Sequence, residues 1–476
     1  MPRTRGRRMD NVLSRRSVLR GAVVLGGTAA AGPLLWQQPG YAATPPHGLH
    51  LTYGADPGSE MVVSWSTPES VSRPRLLLGD AGGSLSEVVA AESRPSPGLK
   101  TVQHHARLSG LDPNTSYSYQ AVHDGAASER FGFSTARTGR PVRFTAFGDQ
   151  GTSGGKVGPV LDAIERFQPD LHLHVGDLSY ASGAGGLRVS EQIDSLYHPS
   201  VWETWLTDIE RVAARVPWMP VLGNHEMEPT ASDLGYESYF ARFTPPATGV
   251  AHEAGATTWS MRVGNVGFVA LDGNDASAEI PRNHGYLGGD QERWLDATLA
   301  ELRADEYIDW IVAGFHHCAY CSSVRHGSDA GVRDRWTPLF DRYAVDVVIN
   351  GHNHMYERTH PVRAGQVTTE APKNAVIYPA EHGTTYLVSG LAEEDESLPD
   401  RSTGPVSGVT YYTGTDFGLR VPEATPWSAV VDELAPVVIC VEASPPNWAG
   451  TTRMEIRSVD AATNTVVDAL TLVRNR

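Results

Sequence analysis

Five short stretches of the chain carry side chains that can hold metal ions: Gly148-Asp149-Gln150-Gly151, Gly176-Asp177-Leu178-Ser179-Tyr180, Gly223-Asn224-His225-Glu226, Phe315-His316 and Gly351-His352-Asn353-His354. Their donors are carboxylate, phenol, amide oxygen and imidazole. That mixture suits borderline-to-hard first-row metals and is unlike a thiolate zinc cage. The carboxylate of Asp177 has two oxygens and can bridge two cations, and Tyr180 can donate a phenolate to a hard trivalent ion. Cations sharing a carboxylate would clamp the oxygens of an anionic substrate and acidify a bound water. Taken alone, each stretch is also an ordinary turn or helix cap. What separates them from turns is a shared grammar, an apolar run and then donors.

The apolar runs are the elements that must position these donors. Val142 to Phe147, Leu171 to Val175, Val216 to Leu222, Trp310 to Phe315 and Val345 to Ile349 read as short buried strands, with Val266 to Leu271 as another. Ligands of open α/β sheets gather beyond the carboxyl ends of such strands, so in a sheet all five stretches emerge at one edge. Residues 157 to 167 predict a helix whose stripe is Val157, Val160, Leu161, Ile164 and Phe167; residues 290 to 302 predict another, carrying Trp294, Leu295 and Leu299. Strands alternating with helices mean α/β architecture. Earlier, from about His47 to Arg137, short strands punctuated by Gly, Pro, Asp and Ser predict a β-sandwich. Its His104 and His105 match no ligand pattern and are read as surface residues. Residues 391 to 436 are Gly/Pro-rich and acidic and give no firm structure, and residues 453 to 459 and 466 to 473 predict a closing hairpin.

At the N-terminus, Arg3, Arg5, Arg7 and Arg8 precede Ser14-Arg15-Arg16-Ser17-Val18-Leu19-Arg20, an apolar run to Trp36 and small residues up to Ala43. This is the plan of a cleavable export signal, and its paired arginines resemble the twin-arginine type. No other stretch reads as membrane-spanning, so no stable membrane insertion is expected after cleavage. The full chain of 476 residues has a net charge of −16, and the leader carries seven Arg and one Asp, so the remainder is at −22. Such a surface disfavours nucleic acid and anionic membranes as partners and leaves small substrates, with bound metal as the local positive centre. Of the three cysteines, Cys318 and Cys321 form a C-x-x-C and Cys440 stands apart. With no second pair to complete a zinc site, a local disulfide or plain thiols is expected.

The five stretches resemble the metallophosphoesterase superfamily and, within it, the purple acid phosphatases. The superfamily usually carries Asp-x-His in its first block; here Asp149-Gln150-Gly151, followed by Tyr180 in the second, marks the purple acid subgroup. Tyr239-Phe240-Ala241-Arg242-Phe243 and Gln291-Glu292-Arg293-Trp294-Leu295 look like that family's intervening segments, and Leu111 to Tyr119 resembles the tyrosine-bearing segment of fibronectin type III modules. The resemblance implies a four-layer α/β/β/α catalytic sandwich at about 140–476, preceded by a fibronectin type III-like β-sandwich at 47–137 and the signal peptide at 1–43. It implies Fe(III) held by Asp149, Tyr180, His354 and a bridging Asp177, and a second, divalent metal (Fe, Zn or Mn) held by Asp177, Asn224, His316 and His352. Two divalent ions are the other reading of the same donors. His225 would face substrate and protonate the leaving alkoxide. His326 stands where plant-type members carry a second substrate-facing histidine, with Asp329 to orient it, although Gly327-Ser328 reads as a mobile surface loop.

The activity so implied is hydrolysis of phosphate monoesters by direct attack of metal-activated water, outside the membrane, with a phosphodiesterase or nucleotidase on the same scaffold as the alternative. A binding protein built on a decayed phosphatase fold is the rival from another class, and the intact set of seven donors speaks against it. His317 is expected on the opposite face from His316 by strand alternation. His172 and His174 are read as sheet-facing, and Glu226 as a hydrogen-bond acceptor behind the donors.

Overall fold

The computed structural model describes residues 44–152, 157–186, 197–230, 232–252, 255–391, 409–412 and 420–476. The predicted leader, and most of the acidic stretch after Leu391, lie outside them. Alternation along the strand Val142–Phe147 shows how the layers arise. Phe144 and Ala146 enter one apolar core and Phe147 another, because successive strand residues point to opposite faces. The first core lies between two sheets. It joins Phe144, Leu173 and Ile439 of one to Phe268, Val312 and Ile349 of the other, and the rings of Phe144 and Phe268 meet edge-on at 5.1 Å. Helices Val157–Phe167 and Val201–Ala213 bury their apolar stripes against the outer face of the first sheet, while Asp290–Ala304 and Ala330–Tyr343 cover the second. The result is the four-layer α/β/β/α arrangement.

Among the described residues each of the two sheets has seven strands. In the first, Val142–Phe147, Leu171–His174 and Trp218–Pro220 run parallel, and Val437–Ala443 pairs antiparallel on the other side of Val142–Phe147. The hairpin Thr451–Asp460 and Thr465–Asn475 extends that side of the sheet. In the second, Val266–Ala270, Trp310–Gly314, Val347–Asn350 and Thr385–Ser389 are parallel neighbours. The donor stretches follow five of these parallel strands directly, so the register that stacks the strands also gathers the donors. Part of the stretch without predicted structure is ordered: Ser428–Asp432 forms an edge strand, and Val409–Tyr412 pairs with Arg420–Glu423.

Residues 47–134 form two antiparallel sheets, one from His47–Tyr53, Met61–Thr67, Val102–Leu108 and Glu92–Pro95, the other built around Arg75–Asp80 and Ser116–His123. They pack directly on the α/β layers, and residues 43–476 form one compact unit. Tyr119 donates to Ala214 O at 2.7 Å, and Thr52 Oγ1 to Thr244 O at 3.0 Å. Packing within the sandwich and at this junction corrects the reading of His104 and His105 as surface residues: each is 1% exposed. His105 Nε2 lies 2.9 Å from Ala241 O and its Nδ1 2.8 Å from Ser64 Oγ; His104 sits between Thr67 Oγ1 and Ser93 Oγ, each at 2.8 Å. Partners that come from distant strands and from the other sheet system leave no mark on the local sequence.

Candidate metal centre

Four of the seven predicted donors have left-handed backbones: Asp149 (φ 58°), Asp177 (53°), Tyr180 (56°) and His352 (67°). Non-glycine residues rarely adopt this region, and strain of this kind persists where the surroundings enforce it, commonly at functional sites. Here it turns the chain sharply as each strand ends and folds the donor back over the sheet edge. Two glycines make room. A Cβ on Gly223 would lie 2.1 Å from Asp177 Oδ1, and one on Gly351 2.5 Å from Asp149 Oδ2.

The donors fall into two neighbouring groups. In one, the Tyr180 hydroxyl lies 3.2 Å from Asp149 Oδ1 and 3.1 Å from His354 Nε2, and His354 Nε2 is 3.5 Å from Asp149 Oδ1. In the other, His316 Nε2 lies 3.0 Å from Asp177 Oδ2 and 3.1 Å from Asn224 Oδ1. His316 Nε2 also comes within 3.9 Å of Asp149 Oδ1, which ties the groups together. His352 joins Asp177 and His316, with ligand atoms of the three within 4.8 Å of one another. The structure thus brings all seven predicted donors to one place.

The residues fit cations. Both carboxylates are buried. Burial works against charge on His316, yet Asp177 and Asp149 raise its pKa to about 10, so the site draws positive charge to its centre. Against the same burial, His316 and then His354 keep Asp149 below the usual carboxylate range, and His316 and His225 keep Asp177 well below it. The donors are also aimed. His316 Nδ1 donates to Val175 O at 2.8 Å, which turns Nε2 towards the carboxylates as the atom a cation would take in place of its proton, and Asn224 Nδ2 donates to Gly185 O at 3.1 Å, which turns its Oδ1 inward.

Behind the donors, Glu226 accepts three backbone N–H groups: Asp177 and Gly223 on Oε2 at 2.9 and 2.7 Å, and Leu178 on Oε1 at 2.8 Å. Burial and then the nearby Asp177 raise its pKa to about 8, while these N–H donors favour the ionised form. His225 donates Nδ1–H to Ser182 O at 2.6 Å and leaves Nε2 3.9 Å from Asp177 Oδ2, with its ring against that of Tyr180. Burial lowers the His225 pKa, with Asp177 pulling the other way.

The expectation for Asp329 needs correction. Its Oδ1 caps the helix Ala330–Tyr343 through Gly331 N and Val332 N, and its Oδ2 accepts from Ser277 Oγ at 2.8 Å and Glu279 N at 3.1 Å. His326 is held instead by Glu279, with Nδ1 2.7 Å from Oε1, and the other Glu279 oxygen lies 2.8 Å from His352 Nε2. Gly327 and Ser328 are buried and do not form an exposed loop. Sequence reasoning missed Glu279, Ser182 and Gly185, none of which follows a strand. It also missed Gly390, which does: a Cβ there would lie 2.8 Å from Asp149 Oδ2. A sixth strand ending in glycine, Thr385 to Gly390, was the available signal.

His317 packs its ring against His352 at 4.6 Å; the strand ends at Gly314, so alternation no longer sets its direction. His172 bonds Thr145 Oγ1 at 3.0 Å, and with His174 it lies among Phe147, Trp205 and Trp218 on the helix side of the sheet. The three cysteines are buried thiols.

Two family models match the chain: the purple acid phosphatase N-terminal domain over residues 46–135, and the calcineurin-like phosphoesterase over residues 142–356, which takes in all seven donors. The chain belongs to the purple acid phosphatase family. An uncharacterised protein of Mycobacterium tuberculosis is 35% identical over 97% of this chain and 94% of its own length. Purple acid phosphatase 21 of Arabidopsis thaliana is 30% identical over 66% of this chain and 64% of its own. Among solved structures, a purple acid phosphatase from yellow lupin (Lupinus luteus) seeds superposes with a TM-score of 0.68 at 20% identity, covering 90% of this chain and 75% of that one. As a purple acid phosphatase relative, the protein is a phosphoesterase of the acid phosphatase kind, and its family implies a dinuclear centre, typically iron with another metal.

Proposed function

We propose that the protein is an exported, dinuclear-metal phosphatase that hydrolyses small phosphate monoesters. The observation that carries this reading is the pair of linked donor groups, with His316 Nε2 3.0 Å from Asp177 and 3.9 Å from Asp149. Asp149, Tyr180, His354 and a bridging Asp177 would hold Fe(III); Asp177, Asn224, His316 and His352 would hold a divalent Fe, Zn or Mn ion. Such a pair supplies the charge that binds phosphate oxygens and acidifies the attacking water. The chain itself orients and moves protons. Val175 O and Gly185 O aim His316 and Asn224, and Glu226 holds the backbone of Asp177 and Leu178 in place. His225, its Nδ1 committed to Ser182 O, offers Nε2 to hold and deliver a proton to the leaving alkoxide. No serine or cysteine nucleophile is required. The basic leader supports export, and among the described residues no helix is long and apolar enough to cross a membrane. The charge of −22 outside the leader favours small phosphorylated substrates over nucleic acid.

A visible absorption spectrum of the mature protein, elemental analysis and paired monoester and diester assays test this. The expected results are a purple band that Tyr180→Phe abolishes, two metals with iron among them, and faster monoester turnover. A colourless protein holding only zinc or manganese overturns the ferric assignment, and a preference for diesters overturns the substrate class.

A further inference from the structure

The loop between the strand Val266–Ala270 and the helix Asp290–Ala304 brings a carboxylate to the centre that none of the donor stretches contains. Glu279 spans two histidines: Oε1 is 2.7 Å from His326 Nδ1, and Oε2 is 2.8 Å from His352 Nε2. The two rings lie 4.1 Å apart, and the Glu279 side chain is 11% exposed. Its backbone is held as firmly as its side chain. Asp329 accepts from Ser277 Oγ (2.8 Å), Ala278 N (3.0 Å) and Glu279 N (3.1 Å), while Ser277 Oγ accepts from Glu279 N and Ile280 N, both at 3.2 Å. The capping residue of the helix Ala330–Tyr343 is therefore also the clamp of this loop, which accounts for the place of Asp329 behind the site.

We propose that Glu279 is a positioning residue that sets both histidines at once. An ionised carboxylate only accepts hydrogen bonds, so each imidazole must present an N–H to it. On His352 the hydrogen then sits on Nε2, and Nδ1 keeps the lone pair that binds the divalent cation. On His326 the hydrogen sits on Nδ1, and Nε2 is left for substrate. One side chain thus links the second metal's ligand to the substrate-facing histidine, and it does so by fixing tautomers and ring planes rather than by touching the cation. Carboxylates that hold a ligating histidine in this way commonly change metal affinity 10–100-fold when removed.

The inference rests on the dinuclear reading, and the test separates the two. Mature wild type, E279Q and H326N are titrated against a chromogenic chelator for Zn(II), with iron measured by elemental analysis. Glutamine keeps the shape of the side chain but offers one acceptor and one donor end, so it cannot take an N–H from both rings. E279Q is expected to hold the divalent ion at least tenfold more weakly while retaining iron. H326N, which leaves the Glu279–His352 pair intact, keeps both metals at wild-type affinity. Wild-type affinity for the divalent ion in E279Q, equal weakening of both metals in E279Q, or an H326N loss as large as that of E279Q overturns the role of Glu279. A wild type that takes up fewer than two metals per chain instead overturns the dinuclear reading itself.

Discussion

Acid should loosen this protein in its β-sandwich, through His104 between sandwich strands and His105 at the junction with the α/β layers. Both rings are held neutral. His105 donates Nε2–H to Ala241 O and accepts the Ser64 hydroxyl on Nδ1; His104 donates Nε2–H to Thr67 Oγ1, whose own hydrogen goes to Glu69 O, and accepts the Ser93 hydroxyl. Burial lowers the His104 pKa to about 4, with His123 adding to it, and lowers that of His105 well below 6.5, with Arg94 next among the causes. In the unfolded chain both titrate near 6.5, so below that pH the unfolded state binds more protons and stability falls. The stabilising contribution is complete above pH 6.5 and disappears progressively towards pH 4. Each ring costs about 1.4 kcal/mol per pH unit, so two rings over the two units from pH 6.5 to 4.5 remove at most about 5.6 kcal/mol. The serine hydroxyls can turn to accept from the charged rings and reduce this. Against a total stability of roughly 5–15 kcal/mol the loss is large. The assay is urea unfolding of the metal-loaded wild type, H104Q and H105Q from pH 7.5 to 4.5. Each variant should be less stable at pH 7.5 yet lose less stability on acidification. Identical pH slopes in wild type and both variants would refute the reasoning.

Three further outcomes are expected. Above pH 8, where the carboxyl is ionised, Glu226→Gln places an N–H against backbone donors that otherwise meet carboxylate oxygens. It should cost about 1–3 kcal/mol for each donor left unpaired, read by urea unfolding, and an unchanged midpoint would show that those bonds carry little. His225→Asn should lower kcat by about 10²–10⁴ on esters of alkyl alcohols and far less on nitrophenyl esters, because only a poor leaving group needs the proton. Equal losses on both substrates would remove it as the acid. Stripping the metals with chelator should lower Tm, with linkage worth about 4 kcal/mol at a ligand concentration a thousandfold above Kd. A Tm indifferent to metal would place the ions outside the folding equilibrium.

The donors were legible because each is written within a few residues of its own strand. Asp149, Asp177, Asn224, His316 and His352 follow apolar runs whose parallel pairing is itself predictable, so local grammar reached the tertiary site. Glu279 was not legible, since it reaches the site from a loop held by Asp329, 50 residues on, and nothing near it in sequence points to a metal. Asp329 was placed near the right histidine but given the wrong contact. A carboxylate before a helix is first of all a cap, and the cap left Asp329 facing the 277–279 backbone. His104 and His105 failed for the same reason: burial by a different part of the chain is a property of the packed molecule.

The strand pairing around Asp149 also bears on synthesis. The strand Val142–Phe147 has Leu171–His174 on one side, but on the other it waits for Val437–Ala443. A ribosome adding roughly 5–20 residues per second needs about 15–60 s to travel between them. By the end of that interval every donor from Asp149 to His354 has been made, while the sheet beneath the first of them still keeps an open, apolar edge of the kind that invites misassembly. A messenger truncated before Val437 would therefore encode the full ligand set and still yield no metal centre, and the waiting edge is where a chaperone would do most for yield.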